Sequence, residues 1–172
     1  MKRLLLATVA SLLTATSAMA QTVYIVRHAE KADAPGNPDP ALSEAGQARA
    51  ALLSEVLRDA HPVLVLTSPM QRTIQTAAPT AAYHSALSEP VSLEGGGAAH
   101  VAATAARVRA LPADATVLIV GHSNTVPLIA RALGYAEAAD MPECEYDRMT
   151  VLHLMDGHVH GEVSRYGAAS TC

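Results

Sequence analysis

At 172 residues and a formal charge of −4, the chain is sized for one domain and has no cationic surplus to draw nucleic acid or an anionic membrane surface. It has no Phe and no Trp, and its five Tyr are the only aromatics, so the interior must be aliphatic residues, Met and many Ala. That composition suits helices packed closely on a sheet and offers no aromatic platform for stacking bases or sugars.

The chain opens with Lys2 and Arg3, an apolar run from Leu4 to Leu13, and the small-x-small site Ala18-Met19-Ala20. These are the three parts of a secretory signal peptide. The run is short of the roughly 20 residues that span a bilayer. The expectation is cleavage after Ala20, a working domain over 21–172, no stable membrane insertion once the leader is gone, and a periplasmic or secreted location.

Thr22 to Val26 reads as a strand apolar on both faces, hence central in a sheet. It runs into Arg27-His28. Ala32 to Pro40, with three prolines, is a loop. Ser43 is a candidate N-cap for a helix over Ala45 to Ala60, broken at His61-Pro62. Val63 to Leu66 is a second buried strand. Pro69 marks the approach to a helix over Thr73 to about Tyr83 that carries Arg72 at its start. A short strand around Val91 leads to Leu93-Glu94 and three glycines. His100 to Ala110 is an alanine-rich helix, with His100 read as a surface residue near its start. Thr116 to Val120 is a third buried strand, followed by Gly121-His122-Ser123-Asn124. A helix over Val126 to Leu133 stops at Gly134. Tyr135 to Arg148 is irregular. Met149 to Met155 and His158 to Arg165 alternate around Asp156-Gly157, a type I′ hairpin signal. The alternation implies an α/β three-layer sandwich: a mainly parallel sheet, helices on both faces, and a C-terminal antiparallel hairpin towards one edge.

Ligands of open α/β sheets sit outside the carboxyl ends of the strands. Arg27-His28, Arg72 and His122 all follow such ends, so two arginines and two histidines should meet in one crevice. Arginine forks bind phosphate oxygens bidentately, which makes a phosphate monoester dianion the natural occupant. Glu30 beside this pair is read either as orienting an arginine or as a surface ion pair.

The segments that carry this chemistry resemble one family. Val26-Arg27-His28-Ala29-Glu30 is similar to the Arg-His-Gly signature of the histidine phosphatase superfamily, the phosphoglycerate mutase-like group (branch 1). Alanine stands for the commoner glycine, as in that group's short phosphohistidine phosphatases. Leu42-Ser43-Glu44-Ala45-Gly46, Ser68-Pro69-Met70-Gln71-Arg72-Thr73-Ile74-Gln75-Thr76-Ala77 and Val120-Gly121-His122-Ser123 resemble its further elements, in the same order. The resemblance implies His28 as nucleophile, forming a phosphohistidine, with Arg27, Arg72 and His122 holding the phosphoryl oxygens. It implies no metal and no cofactor. Glu94 falls where larger members place the proton donor, although the three following glycines depart from their pattern.

The implied activity is an exported phosphoric monoester hydrolase of the acid phosphatase type. Its partner would be a phosphorylated small molecule or an envelope glycan. The alternatives are a non-catalytic phosphate-binding protein on the same fold and a mutase-type phosphotransferase. Two further features stay open. Cys144 and Cys172 are an even pair in a chain read as exported, which invites a disulfide, against two free thiols. His153, His158 and His160 share the hairpin, where they could bind zinc or copper or form the polar face of an edge strand.

Overall fold

The computed structural model describes residues 20–155 and 157–172. The leader sequence read from Met1 onward therefore lies, but for Ala20, outside the described residues, as does Asp156 of the hairpin turn. Among the described residues no helix is long and apolar enough to cross a membrane.

The elements run β1 (Gln21–Arg27), α1 (Glu44–Val56), β2 (Leu64–Thr67), α2 (Gln71–His84), β3 (Leu87–Pro90), α3 (Gly96–Arg109), β4 (Thr116–Gly121), α4 (Val126–Leu133), β5 (Arg148–Met155) and β6 (His158–Arg165). One six-stranded sheet has the order β3-β2-β4-β1-β5-β6. β3, β2, β4 and β1 are parallel neighbours, while β5 and β6 add on antiparallel beyond β1. The architecture is the expected α/β sandwich, with β1 central and the hairpin at one edge.

The central strands are buried on both faces, which is why they read as unbroken apolar runs rather than alternating ones. On one face Val23, Ile25, Leu66, Val117, Ile119 and Leu152 pack against α3 and α4. On the other, Val26, Val65, Leu118, Val120 and Val151 meet Leu53 and Leu57 at the end of α1, Ala77 of α2, and Tyr166. Burying each Leu, Ile or Val side chain contributes roughly 1.5–3 kcal/mol. These aliphatic layers carry the fold without a buried Phe or Trp.

Three details differ from the sequence expectation. The strand expected around Val91 lies at Leu87–Pro90, and Val91 follows it, its N–H donating to Thr67 O at 2.8 Å. Pro90 lacks an N–H, and an edge strand tolerates that. α3 starts at Gly96, four residues before His100, because Gly95 (φ +78°) and Gly96 (φ +84°) make a left-handed turn that glycine alone adopts freely. α1 ends at Val56 rather than Ala60.

At its start, α1 lies directly against the loop that follows β1. Ser43 caps it, accepting from Gly46 N–H at 3.1 Å. A Cβ on Gly46 would fall 2.1 Å from Glu30 O. Glycine there lets the helix touch the backbone just beyond Arg27-His28.

Candidate active site

β1 and β4 are parallel neighbours with Arg27 opposite Gly121, and His28 N–H donates to Gly121 O at 2.9 Å. This register sets His28 beside His122. β2, on the far side of β4, ends at Thr67 and delivers Ser68 and the start of α2 to the same end of the sheet. Arg27, His28, Arg72 and His122 line one open cavity of about 370 Å³ there. Lys31 and Glu143 line it too.

His28 is 4% exposed. Its Nδ1 lies 2.8 Å from Ala29 O. A carbonyl only accepts, so Nδ1 carries the proton and Nε2 keeps its lone pair. Burial lowers the pKa of His28 to about 3; the cations Arg27 and Arg72 push the same way, against the Ala29 hydrogen bond. The imidazole is neutral wherever the protein is folded near physiological pH. The ring is fixed in one tautomer with Nε2 unprotonated, 5.3 Å centroid to centroid from His122.

His122 Nε2 lies 2.9 Å from Ser68 Oγ, which in turn lies 2.9 Å from Thr73 Oγ1. Its pKa is lowered to about 4, first by burial and then by Arg72. Both histidines are therefore uncharged, and the fixed positive charge beside them comes from the guanidiniums. Arg72 is paired with Asp39 at 3.4 Å, and Asp39 also caps α2 by accepting from Gln71 N–H at 2.9 Å. Thr76 joins this helix to the signature loop: its hydroxyl accepts from Ala29 N–H at 2.9 Å and donates to Arg72 O at 2.7 Å.

Arg27 is 2% exposed and is held from behind by a segment the sequence left as irregular. Nη1 donates to the carbonyls of Pro142 (3.3 Å), Glu143 and Glu145 (3.2 Å). Nη2 donates to Glu143 Oε2 at 2.9 Å, and the guanidinium stacks 4.2 Å above the Tyr146 ring. Nε is buried without a partner. Ser123 Oγ donates to Glu143 Oε1. That bond, then Arg27, holds the Glu143 carboxyl below the ordinary carboxylate range.

The segment is itself strapped down. Cys144 and Cys172 form a disulfide with Cα atoms 5.4 Å apart. Ser170 Oγ accepts from Tyr146 N–H at 2.8 Å and donates to Asp147 Oδ1 at 2.6 Å. Arg49 donates to Tyr166 O and Ala168 O, both at 2.9 Å. Glu30 is the residue that orients Arg49, through contacts of 2.7 to 3.1 Å.

Glu94 is exposed on the turn before α3, where its N–H donates to Ser92 Oγ at 3.0 Å. Its neighbours Leu93 and Gly97 line the cavity and it does not. His100, expected at the surface, is 2% exposed, with Nδ1 3.2 Å from both Val91 O and Ser92 O. It lies on the buried stripe of α3 with Thr104 and Val108. In the hairpin His153 faces His160 and Met155 faces His158, as the two-residue turn predicts. The His153 and His160 rings stack 6.4 Å apart, and His153 Nδ1 lies 3.3 Å from Thr22 Oγ1. Among the described residues no group of three or more His, Cys, Asp or Glu is gathered to hold a metal.

Sequence reasoning missed Ser68, Glu143 and Tyr146 as parts of the site. Ser68 was within reach, because it opens the segment that ends in Arg72. The other two had one signal, the cysteine between them.

The sequence pattern of the histidine phosphatase superfamily (branch 1) matches residues 23–95. Two uncharacterized proteins of Mycobacterium tuberculosis are each 42% identical over 67 residues, covering 36% of this chain and 33% of theirs. The match thus spans about a third of the length of these curated relatives. A solved structure described as a candidate phosphohistidine phosphatase SixA from Nakamurella multipartitia is 27% identical, with a TM-score of 0.59 over 87% of this chain and 96% of that one. Mycobacterial glucosyl-3-phosphoglycerate phosphatase shares the fold at 16% identity, with a TM-score of 0.61 over 87% of this chain and 100% of that one. With its two arginines and two histidines gathered at the carboxyl ends of β1, β2 and β4, the chain matches branch 1 of the histidine phosphatase superfamily in sequence pattern over residues 23–95 and in fold.

Proposed function

We propose that the protein is a phosphatase that hydrolyses phosphomonoesters through a phosphohistidine on His28. The observation that carries this reading is the neutral, single-tautomer His28 ring in a cavity whose fixed cations are Arg27, Arg72 and Lys31. The imidazole Nε2 attacks phosphorus and the ester P–O bond breaks. Arg27 and Arg72 offset the charge on the phosphoryl oxygens, and His122 adds a hydrogen-bonding group. Water then attacks the phosphohistidine, the P–N bond breaks, and inorganic phosphate leaves with His28 restored. The first leaving oxygen takes its proton from Glu94, on the turn between Leu93 and Gly97, which line the cavity, and the Glu94 carboxylate takes a proton back from the attacking water.

The reaction needs no metal, because the guanidiniums supply the positive charge. The same reading assigns export: the tripartite leader pattern and the Cys144–Cys172 bridge both suit an oxidising compartment. The substrate class there is a small phosphoester or a phosphorylated envelope glycan. The phosphatase names of two structural neighbours support the reaction type.

The test is a panel of phosphomonoesters assayed with EDTA present, wild type against His28→Ala. Turnover by wild type and none by the variant is expected. Retained hydrolysis in His28→Ala, or activity that EDTA removes, overturns the reading. Glu94→Gln is expected to lower kcat about 100-fold on alkyl phosphates, with much less effect on p-nitrophenyl phosphate. Equal kcat on an alkyl phosphate removes Glu94 from the mechanism.

A further inference from the structure

We propose that Glu143 is a specificity-determining residue: its carboxylate occupies part of the phosphoryl seat on Arg27, and a ligand enters only by exchanging with it. The inference rests on the phosphatase reading and assigns that site a rule of selection. Three nitrogens of Arg27 could serve a ligand. Nη1 is committed to the carbonyls of residues 142, 143 and 145. Nη2 donates to Glu143 Oε2 at 2.9 Å. Nε is buried and has no partner. The edge left for an incoming anion is therefore Nε with Nη2, and an internal anion already sits at one corner of it. An orphaned buried donor next to a filled one is what a seat larger than its present occupant leaves behind.

The exchange is feasible because the Glu143 side chain is 82% exposed. Solvent screens its pair with Arg27, and Ser123 is its other holding contact. A carboxylate offers one charge and two oxygens. A phosphomonoester dianion offers two charges and three free oxygens, enough to meet Nε and Nη2 together and still face Arg72. A phosphodiester monoanion has the charge of the carboxylate it must displace and two oxygens blocked by esters. Because Glu143 is tethered to the site, it competes at a high effective concentration that a weak anion does not overcome. Selection for dianions is thus built into the site.

The test is calorimetry at pH 8 with two probes, inorganic phosphate and diethyl phosphate, on wild type, Glu143→Gln and Arg27→Ala. The glutamine keeps the shape and loses the charge. Glu143→Gln is expected to bind phosphate about tenfold tighter than wild type and to bind diethyl phosphate measurably where wild type does not. Unchanged or weaker phosphate binding in Glu143→Gln, with wild type still binding, overturns this inference alone. A kcat loss in Glu143→Gln confined to alkyl phosphates also overturns it, because the carboxylate would then be moving protons. Phosphate binding to Arg27→Ala as tight as to wild type overturns the phosphate site itself, and this inference with it.

Discussion

Replacing both Cys144 and Cys172 with serine should cost stability mainly by freeing the unfolded chain. The bridge links residues 28 apart. Loop-closure entropy for a loop of that size gives about 3–4 kcal/mol at room temperature. For a domain of this length that is a fall in Tm on the order of 10 °C. Phosphate affinity should fall much less, by a few-fold, because the strap has other holds. Arg49 still grips the carbonyls of Tyr166 and Ala168, and Ser170 still bridges to Tyr146 and Asp147. The Pro142, Glu143 and Glu145 carbonyls behind Arg27 therefore stay nearly in place. The assay is thermal unfolding of the oxidised wild type and the double serine variant, each with and without phosphate. A variant that melts within about 2 °C of wild type refutes the entropic reasoning. A variant that keeps its melting point but loses phosphate binding entirely refutes the division of labour between bridge and hydrogen bonds.

His28 and His122 give a signed pH dependence. Their folded pKa values, about 3 and about 4, lie below the unfolded value near 6.5, so the unfolded chain binds more protons between these limits. The stability that neutral burial provides is present above pH ~6.5 and drains away as pH falls towards 4; His28→Ala should flatten urea-measured stability in that window, and an unchanged slope would contradict the lowered pKa. Ser68→Ala should lower kcat about tenfold through the loss of the His122 contact while costing about 1 kcal/mol of stability; unchanged kcat would show that His122 needs no such support. Gly46→Ala should destabilise by about 1–3 kcal/mol and weaken phosphate binding, because the added Cβ meets Glu30 O at 2.1 Å and must move α1 or the loop after β1. Calorimetry showing native phosphate affinity in that variant would mean the helix yields without disturbing the site.

The two arginines and two histidines of the cavity were legible because each lies at or just after the end of a short apolar strand. Strand ends of a parallel sheet converge whatever the sequence distance between them. Arg27 and His122 are 95 positions apart, yet Arg27 pairs with Gly121 in the sheet register. Glu143 and Tyr146 had no such local mark. Their placement follows from contacts with a residue 116 or more positions away and from the bridge at Cys144, whose formation the sequence left open. His100 was misplaced for a different reason. Its buried stripe, His100, Val101, Thr104, Ala105 and Val108, mixes two polar residues with apolar ones on an alanine-rich helix, so an apolar period does not mark the buried position of His100. Glu94 moved outwards because β3 ends before Val91 and the two left-handed glycines turn the chain at that point.

A chain made from its N-terminus exposes Arg27 and His28 early. Their immediate environment is assembled late. The carbonyls behind Arg27 belong to residues 142, 143 and 145, and the cysteine that ties this segment is residue 172. While synthesis is under way, the arginine lacks the carbonyls that orient it. The setting of Arg27 therefore waits on residues 115 to 118 positions downstream of it.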